Sequence, residues 1–154
     1  MKTVWSNREV ALVSGAYLIS IALAAYGLSP VRWLALSYIG GWIIFYILIR
    51  WMICTKCRHY GERCIILGGE CAAGLFKKRE GKWLPGELRL TAAIWVTMTV
   101  FPLIGLAYLG RYYILIAFFL LSVAFQTIKL RVSCRKCEMQ EECPAGRYAK
   151  RIFG

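Results

Sequence analysis

The chain has 154 residues, of which 59 % are hydrophobic and only 18 % charged, with a net charge of +12 and a mean hydropathy of +0.54. Soluble domains run at roughly 45–50 % apolar and about 25 % charged, so an ordinary soluble domain is excluded. The positive excess would point to nucleic acid in a soluble protein. Here its placement follows a membrane instead, and nucleic acid is not an expected partner.

The charges are segregated, leaving four nearly charge-free stretches at about 9–28, 31–53, 88–109 and 112–130. Each is long enough to cross roughly 30 Å of hydrocarbon. In that medium the backbone must satisfy its own hydrogen bonds, so each stretch is predicted to be a transmembrane helix. Lys2 and Arg8 precede the first stretch, but no small-x-small cleavage site ends it and a second span follows at once. That pattern reads as a span rather than a cleaved signal peptide.

The first helix carries small residues at Ala16, Ser20 and Ala24, spaced to let a neighbour approach closely in lipid. Gly27-Leu28-Ser29-Pro30 turns the chain. Trp33 and Trp51 bracket the second helix; the step of eighteen residues from one to the other rises about 27 Å, a fit to indole anchors at both interfaces. Gly40-Gly41 at its middle marks a close contact or a weak point. A loop over 54–87 follows, in which Ala72–Arg79 is expected as a short interfacial helix whose Lys77, Lys78 and Arg79 reach anionic headgroups. Trp83–Gly86 makes an interfacial turn, Pro102 is expected to kink the third helix, and Gly110-Arg111 turns into the fourth.

With four spans, the N-terminus, the middle loop and the tail share one side. All twenty Lys and Arg except Arg32 and Arg111 fall there. Basic residues mark the cytoplasmic side, so an integral, multi-pass membrane location is predicted, with N-terminus, loop and tail cytoplasmic.

An internal repeat is legible. Cys143-Pro-Ala-Gly-Arg-Tyr-Ala-Lys-Arg151 aligns with Cys71-Ala-Ala-Gly-Leu-Phe-Lys-Lys-Arg79, and Arg147, Lys150 and Arg151 supply a second basic contact set. Ala25-Tyr26 with Arg32-Trp33 echoes Ala107-Tyr108 with Arg111-Tyr112. The expected fold is therefore an all-α membrane domain of two parallel pseudo-repeats, 1–87 and 88–154, each a helical hairpin followed by a Cys-rich segment.

Six of the seven cysteines can be paired by this alignment: Cys54, Cys57 and Cys71 with Cys134, Cys137 and Cys143. In a reducing compartment such clusters read as metal-binding or catalytic rather than disulfide-bonded. A CxxC turn aims two thiolates at one ion, and two further ligands complete a tetrahedron. Cys64 and the sole histidine, His59, bring the donors to eight, enough for two four-coordinate sites. One partition uses Cys54, Cys57, Cys64 and Cys71 for one site, and Cys134, Cys137 and Cys143 with His59 for the other. In a second partition the two CxxC pairs share one ion across the repeat axis. Zinc is the expected metal and an iron–sulfur cluster the alternative.

The chain contains no Asp, and every Glu lies in a loop or at a helix end, so the spans lack the ionisable groups of ion and proton pathways. Gln126 is the most polar residue deep in a span, followed by Tyr17, Tyr46, Thr97, Thr99 and Ser122; Gln126 is expected to bond across helices. No histidine in a span can ligate haem, and no nucleotide-binding, serine-hydrolase or zinc-protease motif occurs. The expected function is a cytosolic, metal-stabilised docking, assembly or regulatory module, engaging anionic lipid or a cytosolic or membrane protein. A redox carrier using iron–sulfur or dithiol chemistry is the alternative. Heavy-metal handling ranks below both, because the spans lack a thiol relay. Enzymatic activity is not required by any motif.

Overall fold

The computed structural model describes residues 5–62, 64, 68–81, 83–134, 137, 141 and 144–153. It is helical, with no strand among the described residues. Four long helices dominate: α1 (Asn7–Leu28), α2 (Arg32–Met52), α4 (Pro85–Tyr108) and α5 (Tyr112–Ile128), with short helices α3 (Gly68–Leu75) and α6 (Pro144–Phe153) between and after them. All four long helices are long and apolar enough to cross a membrane. Their bounds fall within a few residues of the expected spans.

Local chemistry explains the ends. Ser6 caps α1: its hydroxyl accepts from the Glu9 N–H, and the Glu9 carboxylate accepts from the Ser6 N–H in return. Pro85 opens α4 at a position where its missing N–H costs nothing, while Glu87 accepts from the Leu84 N–H. Gly110, at φ +66°, makes the α4–α5 turn in a conformation that a side chain would strain. The α4 helix continues through Pro102, which is buried.

Antiparallel hairpins α1–α2 and α4–α5 pack so that α1 touches α5, α2 and α4, and α4 also touches α2 and α5. The stripe on α1 faces inward: Ser20 and Ala24 are buried and Ala16 packs against the core. Gly41 permits the expected close approach, since a Cβ there would lie 2.6 Å from Met98 Cε of α4, whereas Gly40 faces open space. The interior is aromatic. Tyr17, Trp42, Trp95 and Phe125 meet ring to ring, with centroid separations of 5.3–6.2 Å.

Each hairpin ends in a tightened or widened turn that carries the chain out of its second helix. After α2 comes a 3-10 turn, Cys54–Lys56; after α5 comes a π-helical turn, Lys129–Ser133. The topology brings both turns, with α3 and α6, to the same end of the bundle. The expected helix over Ala72–Arg79 is displaced: α3 starts at Gly68 and stops at Leu75, so Lys77, Lys78 and Arg79 lie beyond it. The α6 helix begins after Cys143, whereas Cys71 is inside α3, so the aligned segments differ in helical register.

Leu106, fully buried, tests this packing. Leu106→Ala should cost about 2–5 kcal/mol, read as a lower melting temperature in nanodiscs. Leu120→Ala, on the 61 % exposed lipid-facing side of α5, should leave melting nearly unchanged.

Candidate metal centre

The end of α2 organises the first cysteine patch. Arg50 is only 6 % exposed. Its guanidinium stacks on the Tyr46 ring at 4.0 Å and its Nη1 donates to Cys54 Sγ at 3.5 Å. One turn separates Arg50 from Cys54, so the helix itself sets this contact. The start of α3 closes on the same sulfur: a Cβ on Gly68 would lie 3.5 Å from Cys54 Sγ and 3.3 Å from Arg50 Nη1. Burial pushes the Cys54 thiol up, and the Arg50 guanidinium beside it offsets part of that rise. Tyr46 and Cys71 share a side-chain hydrogen bond, and Cys71 lies close enough to Cys54 for the two to interact electrostatically.

Cys57 is reached by both halves of the chain. It interacts electrostatically with Cys54 and with Cys137 of the tail, and the backbone N–H groups of His59 and Arg58 point at its sulfur. Burial pushes the Cys57 thiol up to about 11, against the pull of those N–H groups. Cys54, Cys57, Cys71 and Cys137 thus form one neighbourhood. Cys64 and Cys134 are each half-buried, and Cys134 closes the π-helical turn with its N–H on the Lys129 carbonyl. Cys143 lies outside the described residues. Among the described residues, no three of His, Cys, Asp and Glu converge tightly enough to form a preformed metal site. The donor chemistry suits a thiophilic ion, and binding would require the sulfurs to draw together.

His59 is buried at 4 % exposure. Its Nδ1 pairs with Glu62 Oε2 at 2.9 Å, its ring meets Trp5 edge-on at 5.3 Å, and its Nε2 is buried without a hydrogen-bond partner. With Nδ1–H donating to Glu62, the Nε2 lone pair remains available, the carboxylate-oriented state common in histidine ligands.

The loop around these groups is knitted to the bundle. Thr55, fully buried, donates to the Trp51 carbonyl at 2.6 Å and accepts from the Arg79 N–H at 3.0 Å. The Trp83 indole donates to the Ile53 carbonyl at 3.1 Å, and the Tyr60 hydroxyl to the Phe76 carbonyl at 2.5 Å. Lys56 reaches across to Glu87 of α4, at 2.7 and 2.8 Å to its two oxygens. Of the basic residues, Lys77, Lys78, Arg147, Lys150 and Arg151 are exposed, whereas Arg79 stacks on Trp51 at 4.8 Å. Lys150 pairs with Glu141.

Sequence reasoning missed Arg50 and Trp5, and took Tyr46 only as a polar residue of a span. Arg50 had read only as a basic residue at the membrane boundary; its position four residues before Cys54, on the same helical face, was the usable signal. No protein-family model, curated protein or solved structure matches the chain.

Gly69 tests the loop's geometry. A Cβ there would lie 2.2 Å from the His59 carbonyl oxygen and 2.3 Å from that of Glu62, both backbone atoms. Gly69→Ala should cost about 1–3 kcal/mol locally, read as faster hydrogen exchange over residues 54–62. Gly74→Ala, which meets open space, should leave exchange there unchanged.

Proposed function

We propose that this chain is a multi-pass membrane protein whose Cys-rich face is a metal-stabilised cap, zinc being the fitting ion, serving as a docking, assembly or regulatory module. The observation that carries the reading is the neighbourhood of Cys54, Cys57 and Cys71 from the loop with Cys137 from the tail. Four thiolates suit tetrahedral zinc, and contributions from both halves would tie loop and tail into one unit. Arg50, beside Cys54, would offset part of the negative charge of a thiolate set. This set matches neither expected partition, since Cys71 stands where the shared-ion arrangement has Cys134, but like that arrangement it draws on both loop and tail.

The cap is read as cytosolic because the basic residues crowd that end. Its outer surface suits an acidic partner. Arg147, Lys150 and Arg151 are exposed on α6 beside the exposed Tyr148 and Ile152, a composition fit for anionic headgroups or an acidic protein surface. Lys77 and Lys78 add to it.

Electron transfer through an iron–sulfur cluster or dithiol is the second reading, and the Cys54–Arg50 contact favours it, because the adjacent cation offsets part of the burial that holds this thiol up.

Elemental analysis of anaerobically purified protein, with its visible spectrum, separates the two. The zinc reading predicts bound zinc and no visible absorption; bound iron with absorption that bleaches on reduction would replace it with the redox reading. In the shared arrangement, Cys137→Ser should remove as much metal as Cys57→Ser, and the double variant no more than either. Additive losses would instead indicate two independent sites.

A further inference from the structure

Four of the polar side chains that the spans contain come together in one place. Tyr17 of α1, Thr99 of α4, and Ser122 and Gln126 of α5 line a chamber of about 30 Å³ inside the bundle. Beside it, between α4 and α5, runs a groove of about 270 Å³. Groove and chamber share Thr99, Phe118, Ser122 and Gln126 as walls. The groove's remaining lining is largely apolar and includes the lipid-exposed Phe119 and Val123.

Trp42 and Trp95 both stand on the chamber wall, with their indole nitrogens shut off from solvent. Trp42, 8 % exposed, turns its indole N–H onto the Tyr38 hydroxyl, which leaves the Trp95 indole as the unpartnered donor on this wall. An indole N–H can only donate, and a buried donor left unsatisfied is costly. The hydroxyls of Ser20 and Thr99 already donate to carbonyls of their own helices, at 2.8 and 3.0 Å. An acceptor oxygen entering here would meet the Trp95 indole N–H and the Gln126 amide.

We propose that the α4–α5 groove and this chamber form a binding site for a lipid-soluble ring carbonyl compound of the quinone class. The ring would lie in the groove and one carbonyl oxygen would enter the chamber, accepting from indole and Gln126 donors. The dimensions suit this division: a space of about 30 Å³ accommodates an oxygen, about the volume of one water, but not a ring. The walls are the aromatic faces of Trp95, Phe118 and Phe125. Depth selects the class. Tyr17 and Trp95, each ten residues in from the start of its helix, sit about 15 Å along the bundle at 1.5 Å per residue, and Phe125, the neighbour of Gln126, meets both rings at that level. Phospholipid ester carbonyls lie at the edge of the hydrocarbon and do not reach that far, whereas a ring carbonyl dissolved in the core does. Lys129, whose Nζ is 4.5 Å from the Trp95 ring centroid, adds positive charge on the same side of the site. This inference stands apart from the metal cap and uses none of its residues.

The test is titration of the full chain, in phosphatidylcholine nanodiscs, with a short-chain benzoquinone while following tryptophan fluorescence. Saturable quenching is expected, with half-saturation raised about tenfold, the equivalent of one lost hydrogen bond, by Gln126→Leu and by the near-isosteric Thr99→Val. A terpene hydrocarbon without a carbonyl should neither quench nor compete. Circular dichroism checks that each variant is folded; should Gln126→Leu misfold, Thr99→Val decides. Quenching that rises linearly with bilayer quinone overturns the proposal. So does saturable quenching unchanged in the folded variants, which would leave the chamber to ordered water.

Discussion

A guanidinium stays charged at any accessible pH, so burying Arg50 at the end of α2 demands partners at fixed positions. Its charge is answered by the face of Tyr46 and the sulfur of Cys54. The glycine start of α3 fits against both because it has no side chain to interfere. Once α3 is seated there, Cys71 comes within reach of Cys54 and Tyr46. The rest of the Cys-rich loop then follows, through Thr55, Tyr60 and Trp83, each bonded to backbone carbonyl groups.

The second constraint is the aromatic interior beneath that loop. Large rings fill the space between α1, α2, α4 and α5, and two indole donors come with them. Hydrocarbon offers such donors nothing, and Trp42 turns to the Tyr38 hydroxyl inside the bundle instead. Lys56 with Glu87 then ties the first hairpin to the second where the chain leaves the bundle. A protein built this way has a bundle of four apolar helices and a thiol-rich face held against one end of it.

Much of the fold was legible because hydrocarbon leaves a chain few options. Four apolar stretches became four helices, and the inward face of Ser20 and Ala24 was readable from spacing alone. The displaced helix at Gly68–Leu75 was not legible: two glycines argue against a helix start by propensity, yet they are what permits contact with Arg50, His59 and Glu62. Proximity of Cys57 to Cys137 followed from the topology, since both hairpins end on the same side. The partition of ligands did not, because spacing is silent about contacts between distant segments. Gln126 was singled out as a helix–helix contact, and its place on the chamber wall needed coordinates. The unpartnered Trp95 indole carries no sequence signature at all.

The central claim is that the loop and the tail meet through their cysteines. It is tested most directly in a chain retaining only Cys57 and Cys137, the other five cysteines changed to serine, and its helical content verified. Mild oxidation followed by tryptic cleavage in the basic loop should leave the two halves joined on a non-reducing gel and separated after reduction. Halves that separate without reduction, in protein that is folded and fully oxidant-exposed, would contradict the account.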